Sequence, residues 1–112
     1  MIKVKGIQVA PAELEDLLLG HSKVEDCAVI GIPDDYSGER PFGFVVLKPE
    51  IEGTKEILDE ILDYVKAKKV RTKWLTGVRI IDQIPKSASG KILRRVLRAD
   101  FKSASAQLKP KL

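Results

Sequence analysis

The chain has 112 residues, a length that fits one domain with a modest hydrophobic core. Hydrophobic residues make up 44% of it and charged residues 32%, which is typical of a folded globular protein and excludes a disordered or fibrous one. No apolar run reaches the roughly 20 residues that a membrane-spanning helix needs, and no signal-peptide pattern follows Met1.

The net charge of +4 is concentrated toward the C-terminal end. From Ile84 onward the sequence has eight Lys or Arg residues and one acidic residue, Asp100. Such an asymmetry can indicate a nucleic-acid-binding surface. Aromatic residues are scarce in this basic segment, where Phe101 stands alone, so the stacking platforms typical of single-strand binding are missing. The composition therefore disfavours a nucleic-acid function.

The first predicted element is residues 2–9, whose alternation of apolar and polar side chains is typical of a half-exposed strand or extended loop. A helix is predicted from Pro11, because the missing N–H of proline costs nothing in a first turn, and it ends at Gly20. Three leucines form its buried face: Leu14, Leu17 and Leu18. His21 stands alone in the loop that follows, and we expect it to lie on the surface without binding metal.

Two apolar strands, residues 27–32 and 42–47, are joined by a short turn-rich segment and are expected to pair antiparallel. Asp34 and Asp35 lie in that turn and should have a conformational role. Cys27, the single cysteine, excludes an internal disulfide and is expected to be a small buried hydrophobe.

The clearest helix begins after Gly53-Thr54. Five residues form its apolar stripe: Ile57, Leu58, Ile61, Leu62 and Val65. Lysines follow at its C-terminal end, where they favour the helix dipole and are expected to solvate the helix end instead of forming a binding patch. Trp74 should pack against the core, and residues 78–82 are predicted to form a third short strand.

A last helix is predicted over residues 91–102, and residues 103–112 are predicted to be a flexible tail outside a domain of residues 1–102. Its expected inner face is Leu93, Val96 and Leu97, with the neighbouring arginines mostly outside. The order β-α-β-β-α-β-α predicts an α+β fold in which about three helices pack on a small sheet of short strands.

Residues 84–95 carry the pattern that indicates function: a loop of small residues, then Gly90 and Lys91. A P-loop is excluded, because Pro85 and Ile92 stand where that motif needs Gly and Ser or Thr. A lysine at a helix N-terminus opposes the helix dipole, so Lys91 breaks a local rule without visible compensation, which indicates a functional role. A lysine held on such a turn suits an anion, either a phosphate or a carboxylate.

Three segments together resemble the adenylate-forming superfamily, which includes acyl-CoA synthetases, 4-coumarate:CoA ligases and firefly luciferase. Residues 84–95 are similar to the C-terminal signature of that superfamily, and residues 2–15 to the other signature of its C-terminal domain. Residues 29–34 and 38–41 are similar to the central strand and turn. The resemblance covers residues 2–98, is nearest to the 4-coumarate:CoA ligases and luciferase-like acyl-CoA synthetases, and implies the fold of their mobile C-terminal lid.

The resemblance implies two half-reactions: a carboxylate attacks the α-phosphate of ATP to give an acyl-adenylate, and the thiol of CoA then displaces AMP after the lid rotates. It implies that Lys91 is the catalytic lysine of the first step. It implies that Lys3 and Gln8 contact the acyl-adenylate after rotation and that Lys5 and Gly6 lie beside CoA. Taken without the resemblance, residues 2–9 are better explained as a strand edge whose lysines discourage aggregation.

The ATP-binding loop and acyl pocket of the superfamily have no counterpart in this sequence. We therefore expect the chain to be the lid of a larger acid–CoA ligase, inactive by itself, whose partner is a large N-terminal adenylate-binding domain. ATP, CoA and a carboxylic acid are the expected substrates, with Mg²⁺ accompanying ATP in that other domain and no metal site or nucleic-acid contact in this one. The alternative is a free-standing binding or regulatory module whose basic C-terminal region binds an acidic partner.

The last three residues, Pro110-Lys111-Leu112, are one residue away from the peroxisomal Ser-Lys-Leu signal. They predict weak import into peroxisomes, and otherwise a cytoplasmic location.

Overall fold

The computed structural model describes residues 1–108 of the chain, with side chains through residue 103. The described residues form five strands, three α-helices and one 3₁₀ turn. In chain order these are β1 (Ile2–Val4), β2 (Ile7–Val9), α1 (Pro11–Leu19), β3 (Val24–Asp34), β4 (Gly38–Leu47), α2 (Lys55–Lys68), the 3₁₀ turn (Arg71–Lys73), β5 (Val78–Ile80) and α3 (Arg94–Leu108). The α+β fold predicted from the sequence is confirmed.

The sheet is organised around β4. β3 pairs antiparallel with β4 along nearly its whole length, as predicted, from Val24 opposite Leu47 to Asp34 opposite Gly38. On its other side β4 meets β1 at its first residue, and its later part, from Gly43 to Val45, pairs parallel with β5. β1 also pairs with β2, so the path across the sheet is β2-β1-β4-β3 and β3 is an outer strand.

The sheet has an apolar cluster on each face because neighbouring residues of a strand point to opposite sides. Cys27 and Val29 of β3 belong to the cluster that holds Leu14 and Leu18 of α1 and Ile61 of α2. The alternate residues of the same strand contribute to the second cluster, whose members are Ala28, Ile30, Phe44, Ile84 and Leu97. Helices α1 and α2 thus cover one face, and α3 covers the other.

Residues 2–9 form a tight hairpin and not a single interrupted strand. Ile2 lies opposite Val9, Lys3 opposite Gln8, and Val4 opposite Ile7. Lys5 and Gly6 between the two strands both have positive φ, +53° and +80°. Positive φ at both central residues is the requirement of a type I′ turn, the connection that suits the twist of a two-residue hairpin.

The last helix differs from its prediction at both ends. It begins at Arg94 and not at Lys91, because residues 86–92 form a turn closed by a bridge between Lys86 and Ile92. It continues to Leu108, past the predicted boundary at Ser103, because the Ala, Ser and Gln residues there are tolerated in a helix. The proposed signal at residues 110–112 lies outside the described residues.

The buried side of α3 also differs from its prediction. Leu97 is 1% exposed as predicted, but Leu93 and Val96 are 38% and 40% exposed, so the predicted inner face was wrong for both. Arg94, predicted to lie mostly outside, is half-buried. None of the helices in the described part of the chain is long and apolar enough to cross a membrane.

His21 was predicted to lie on the surface, and the structure buries it. Its Nε2 atom lies 2.9 Å from a carboxylate oxygen of Glu60, and its ring meets the Tyr64 ring edge-on with centroids 4.9 Å apart. Both partners come from α2, far along the sequence. Cys27 is buried as expected, and Trp74 is half-buried with its indole N–H donating to the Lys69 carbonyl at 2.8 Å.

Candidate functional site

Lys91 lies on a closed turn just before α3. Gly90, at φ +86°, donates its N–H to the Ser87 carbonyl at 2.9 Å. The Ser87 N–H donates in turn to the Lys91 carbonyl at 2.8 Å, and the Ser87 hydroxyl accepts from the Lys91 N–H at 3.2 Å. Ser87 therefore fixes the Lys91 backbone from two directions, while the lysine side chain is exposed.

Both ends of this turn are fastened to the body of the domain. On the entering side, Ile84 is buried and the Lys86 ammonium donates to Asp26 at 2.7 Å. On the leaving side, the Leu93 N–H donates to the Pro85 carbonyl at 2.9 Å, and Arg94 bonds to β3 and α1. The turn thus holds an exposed ammonium group on a fixed backbone.

The second group of predicted site residues lies on the β1–β2 hairpin. Lys3 and Gln8 are register partners and both are exposed, so they stand side by side. The backbone of Lys3 donates to Glu39 at 3.0 Å, and that of Lys5 to the Ser37 carbonyl at 2.7 Å. Gly6 is exposed at the tip of the turn. The structure therefore brings Lys3, Lys5, Gly6 and Gln8 together on one small element.

Lys91 does not belong to that group. Its turn is tied through Lys86 to Asp26, near the start of β3, whereas the hairpin is tied to Ser37, which follows the end of β3 at Asp34. Asp26 and Asp34 are eight residues apart on β3, and at about 3.3 Å per residue that separation is about 26 Å. The Lys91 turn and the tip of the hairpin are therefore attached near opposite ends of the β3–β4 ribbon.

An open pocket of about 410 Å³ adjoins the hairpin turn. Its lining consists of Val4, Lys5, Tyr36, Ser37, Arg40, Arg71 and Thr72. Three of these side chains are cationic, and within the described part of the chain no carboxylate is among them. The Lys5 ammonium lies 4.5 Å from the centre of the Tyr36 ring, and Tyr36 is 82% exposed. This arrangement can attract an anion and offers a flat aromatic face beside it.

Arg40, Arg71 and Tyr36 were not predicted as site residues. They come from β4, the 3₁₀ turn and the β3–β4 link, and only the folded chain places them around Lys5. Of these three, only Tyr36 could have been suspected from the sequence, because an aromatic residue is unusual in a polar turn whose only role is to reverse the chain. Asp34 has the conformational role predicted for it, since its carboxylate accepts the Ser37 N–H at 2.7 Å.

The remaining ionisable groups with shifted pKa values have structural partners. Hydrogen bonds from Lys69 and Lys73 hold the pKa of Glu13 below its usual value, and a hydrogen bond from Lys23 does the same for the pKa of Glu60. Burial raises the pKa of the Cys27 thiol to about 12. A thiol protonated at neutral pH is a poor nucleophile, so Cys27 is a core residue. Among the described residues, no group of three His, Cys, Asp or Glu side chains could hold a metal ion.

Comparison with known families decides the relationship of the chain. The sequence profile of the AMP-binding enzyme C-terminal domain matches residues 13–91. The chain belongs to this family. The match begins within α1 and ends at Lys91, so it covers β3, β4, β5 and all of the Lys91 turn except its last residue, Ile92.

Curated relatives agree with that assignment. The chain is 50% identical over 101 residues to 4-coumarate–CoA ligase-like 9 of Oryza sativa subsp. japonica, with 90% of the chain and 18% of the relative covered. It is 42% identical over 111 residues to luciferin 4-monooxygenase of Photuris pensylvanica, with 96% and 19% covered. The chain therefore spans about a fifth of the length of these relatives.

Solved structures show the same fold. An anthranilate CoA ligase in complex with anthranoyl-AMP superposes with a TM-score of 0.85 at 39% identity, covering 95% of the chain and 20% of that structure. The acyl-CoA synthetase of Brucella canis gives a TM-score of 0.84 at 33% identity, covering 93% and 19%. The predicted relationship to CoA ligases and luciferase-like enzymes is confirmed.

Proposed function

We propose that this chain is the mobile lid of an ATP-dependent acid–CoA ligase and that its two exposed loops serve two successive half-reactions. The observation that carries the proposal is that the Lys91 turn and the tip of the β1–β2 hairpin are attached near opposite ends of the β3–β4 ribbon. A rigid domain with that arrangement presents one loop at a time to a single reaction centre. Rotation against a larger adenylate-binding domain, the proposed partner, exchanges them.

In the first half-reaction a carboxylate oxygen of the acid attacks the α-phosphorus of ATP, and pyrophosphate leaves. Two anions must approach each other, and negative charge gathers on the α-phosphate oxygens as they do. The exposed ammonium of Lys91, fixed through its backbone by Ser87, can lie between them and offset that charge. Mg²⁺, if it accompanies ATP in the proposed partner domain, would neutralise the other phosphates.

In the second half-reaction the thiol of CoA attacks the acyl carbon, and AMP leaves. The proposal assigns Lys3 and Gln8 to the adenylate and the Lys5–Gly6 turn to the CoA side. The basic pocket supports CoA as the thiol substrate, because Lys5, Arg40 and Arg71 match the phosphates that CoA carries and Tyr36 offers a stacking face. A relative that is named a CoA ligase also favours this acceptor over a carrier protein.

The deciding experiment measures the two half-reactions separately in a full-length protein that contains this domain. Lys91→Ala should slow pyrophosphate release by about a hundredfold or more, the scale on which one preorganised electrostatic donor acts. Thioester formation from pre-made acyl-adenylate and CoA should stay near the wild-type rate. Lys102→Ala, which removes another exposed lysine of the same basic segment, is the matched control and should leave both steps unchanged.

Two results would contradict the assignment of Lys91. One is adenylation by Lys91→Ala at the wild-type rate. The other is an equal loss of both half-reactions in a folded variant, which would show a general structural role.

Peroxisomal import is a separate proposal, based on the sequence Pro110-Lys111-Leu112. A fluorescent reporter that ends in residues 101–112 should show weak import into peroxisomes. The matched control replaces Leu112 by Ala and should remain in the cytosol. A reporter with the natural sequence that stays wholly cytosolic would remove the proposal.

A further inference from the structure

Glu15 and Arg94 form an ion pair that joins α1 to the first residue of α3. One guanidinium nitrogen of Arg94, Nη2, lies 2.7 Å and 2.8 Å from the two carboxylate oxygens of Glu15. The Glu15 side chain is only 9% exposed, whereas that of Arg94 is 33% exposed. Arg94 therefore covers the Glu15 carboxylate, which is almost completely removed from solvent.

Both side chains also bond to the same peptide unit of β3. The Val29 N–H donates to Oε2 of Glu15 at 2.8 Å, and the Val29 carbonyl accepts from Nε of Arg94 at 3.2 Å. Because β3 is an outer strand, the N–H and carbonyl groups of Val29 would otherwise have no strand to pair with. Glu15 and Arg94 thus supply the hydrogen bonds that a neighbouring strand would make, and these bonds hold both side chains to Val29.

This arrangement fixes the place where the Lys91 turn rejoins the domain. Arg94 is three residues after Lys91, and Ile92 between them closes the turn through its bridge with Lys86. Leu97 anchors α3 through apolar contact alone, which fixes position less sharply than directed hydrogen bonds do. Glu15 in turn lies on α1, the helix that directly follows the β1–β2 hairpin.

We infer that Glu15 and Arg94 are positioning residues for adenylation: together they hold the Lys91 turn at the distance from the domain that the reaction requires. The inference rests on the proposed role of Lys91 and adds to it. Neither residue touches the reacting atoms, and both act through the backbone between Arg94 and Lys91. Misplacing a reacting group by about 1 Å can cost about a hundredfold in rate, so loosening this attachment should be visible in the first half-reaction.

The test compares substitutions at the two residues in a full-length protein that contains this domain. Arg94→Ala should lower kcat of adenylation by about ten- to a hundredfold, with a much smaller change in KM for the acid and for ATP, because positioning acts mainly on the transition state. Thioester formation from pre-made acyl-adenylate should stay near the wild-type rate. Arg94→Lys, which keeps a charge near Glu15 but lacks the planar fork, should recover part of the lost rate.

Arg94→Ala leaves the Glu15 charge buried without a partner, which can unfold a domain. Glu15→Gln avoids that outcome, because it removes the buried charge and leaves Arg94 partly in contact with water. It should show the same selective loss of adenylation, by a smaller factor. Arg95→Ala is the matched control: the adjacent arginine is exposed, and its loss removes the same charge while leaving the Glu15 pair in place.

The Lys91→Ala variant distinguishes a failure of the positioning role from a failure of the proposed function. If Lys91→Ala loses adenylation while Arg94→Ala and Glu15→Gln adenylate normally, the positioning role is wrong and the proposed function stands. An equal loss of both half-reactions in Glu15→Gln would also overturn the positioning role, because it would indicate general destabilisation. If Lys91→Ala adenylates at the wild-type rate, the proposed function fails and the inference fails with it.

Discussion

Glu13 connects three parts of the sequence through one carboxylate. Its two oxygens accept hydrogen bonds from Lys69, just after α2, at 2.7 Å and from Lys73, in the 3₁₀ turn, at 3.0 Å. These bonds hold the pKa of Glu13 below its usual value of 4.5. A carboxyl group whose pKa is lower in the folded state stabilises that state at pH values above its unfolded pKa, and loses the contribution as the pH falls through the folded value.

We therefore expect Glu13→Gln to flatten the acid side of the stability profile. Above pH 4.5 the variant should be less stable than the natural chain, by at most about 1 kcal/mol because the pair is partly exposed. The difference should shrink as the pH falls below 4.5. Urea unfolding at several pH values measures it, with Glu52→Gln, an exposed loop carboxylate, as the control. A constant difference at all pH values would show that the ion pairs are not its source.

Cys27 and His21 show which single-residue environments can be predicted from the sequence and which cannot. Cys27 was predicted correctly because a lone cysteine inside an apolar run has one common explanation. His21 was predicted wrongly, since its burial depends on Glu60 and Tyr64, which lie about forty residues away in the sequence and reach it only after α2 packs. Local sequence carries no record of such partners.

Each of the two candidate loops contains a glycine with positive φ. Gly6 at the hairpin tip and Gly90 in the Lys91 turn have φ values of +80° and +86°, and for neither would an added Cβ meet a described atom within 4 Å. An alanine at either position is strained by its backbone alone, by about 1–2 kcal/mol. Because the strain is equal and the proposed roles of the two loops differ, an alanine variant at each glycine serves as the control for the other.

In a full-length protein that contains this domain, Gly6→Ala should mainly slow thioester formation, because a side chain would intrude on the space beside the turn that is proposed for CoA. Gly90→Ala should mainly slow adenylation, because it disturbs the turn that carries Lys91. Each substitution should destabilise the fold by a similar amount, measured by urea unfolding. If both variants lose the same half-reaction, or both lose the two steps equally, the division of roles between the loops is wrong.

Elements whose hydrophobic pattern is complete were predicted well, and boundaries set by tight turns were not. The stripe from Ile57 to Val65 predicted α2, and the two apolar runs predicted the β3–β4 pair. The start of α3 was misplaced by three residues because the bridge between Lys86 and Ile92 takes precedence over helix propensity. Val96 faces outward and Arg94 inward, and the contact of Arg94 with Glu15 could not be foreseen because the two residues are 79 positions apart in the sequence.

The domain as a whole has a well-packed hydrophobic core, but its candidate site residues do not form an enclosed reaction site. Apolar clusters fill both faces of the sheet, from Leu14, Leu18 and Ile61 on one side to Phe44 and Leu97 on the other. Such a core supports a domain that folds by itself. The candidate site residues are all exposed, and the pocket of about 410 Å³ beside the hairpin turn includes Lys5 but not Lys91.

We therefore expect the 112-residue chain to fold cooperatively and to catalyse neither half-reaction alone. Urea unfolding followed by tryptophan fluorescence should give a single transition, because Trp74 is half-buried beside the end of α2. Incubation with ATP and each of a panel of carboxylic acids should release no pyrophosphate above the background of the Lys91→Ala chain. Pyrophosphate release that depends on Lys91 in the isolated chain would show that the domain holds ATP by itself, and the lid proposal would then be wrong.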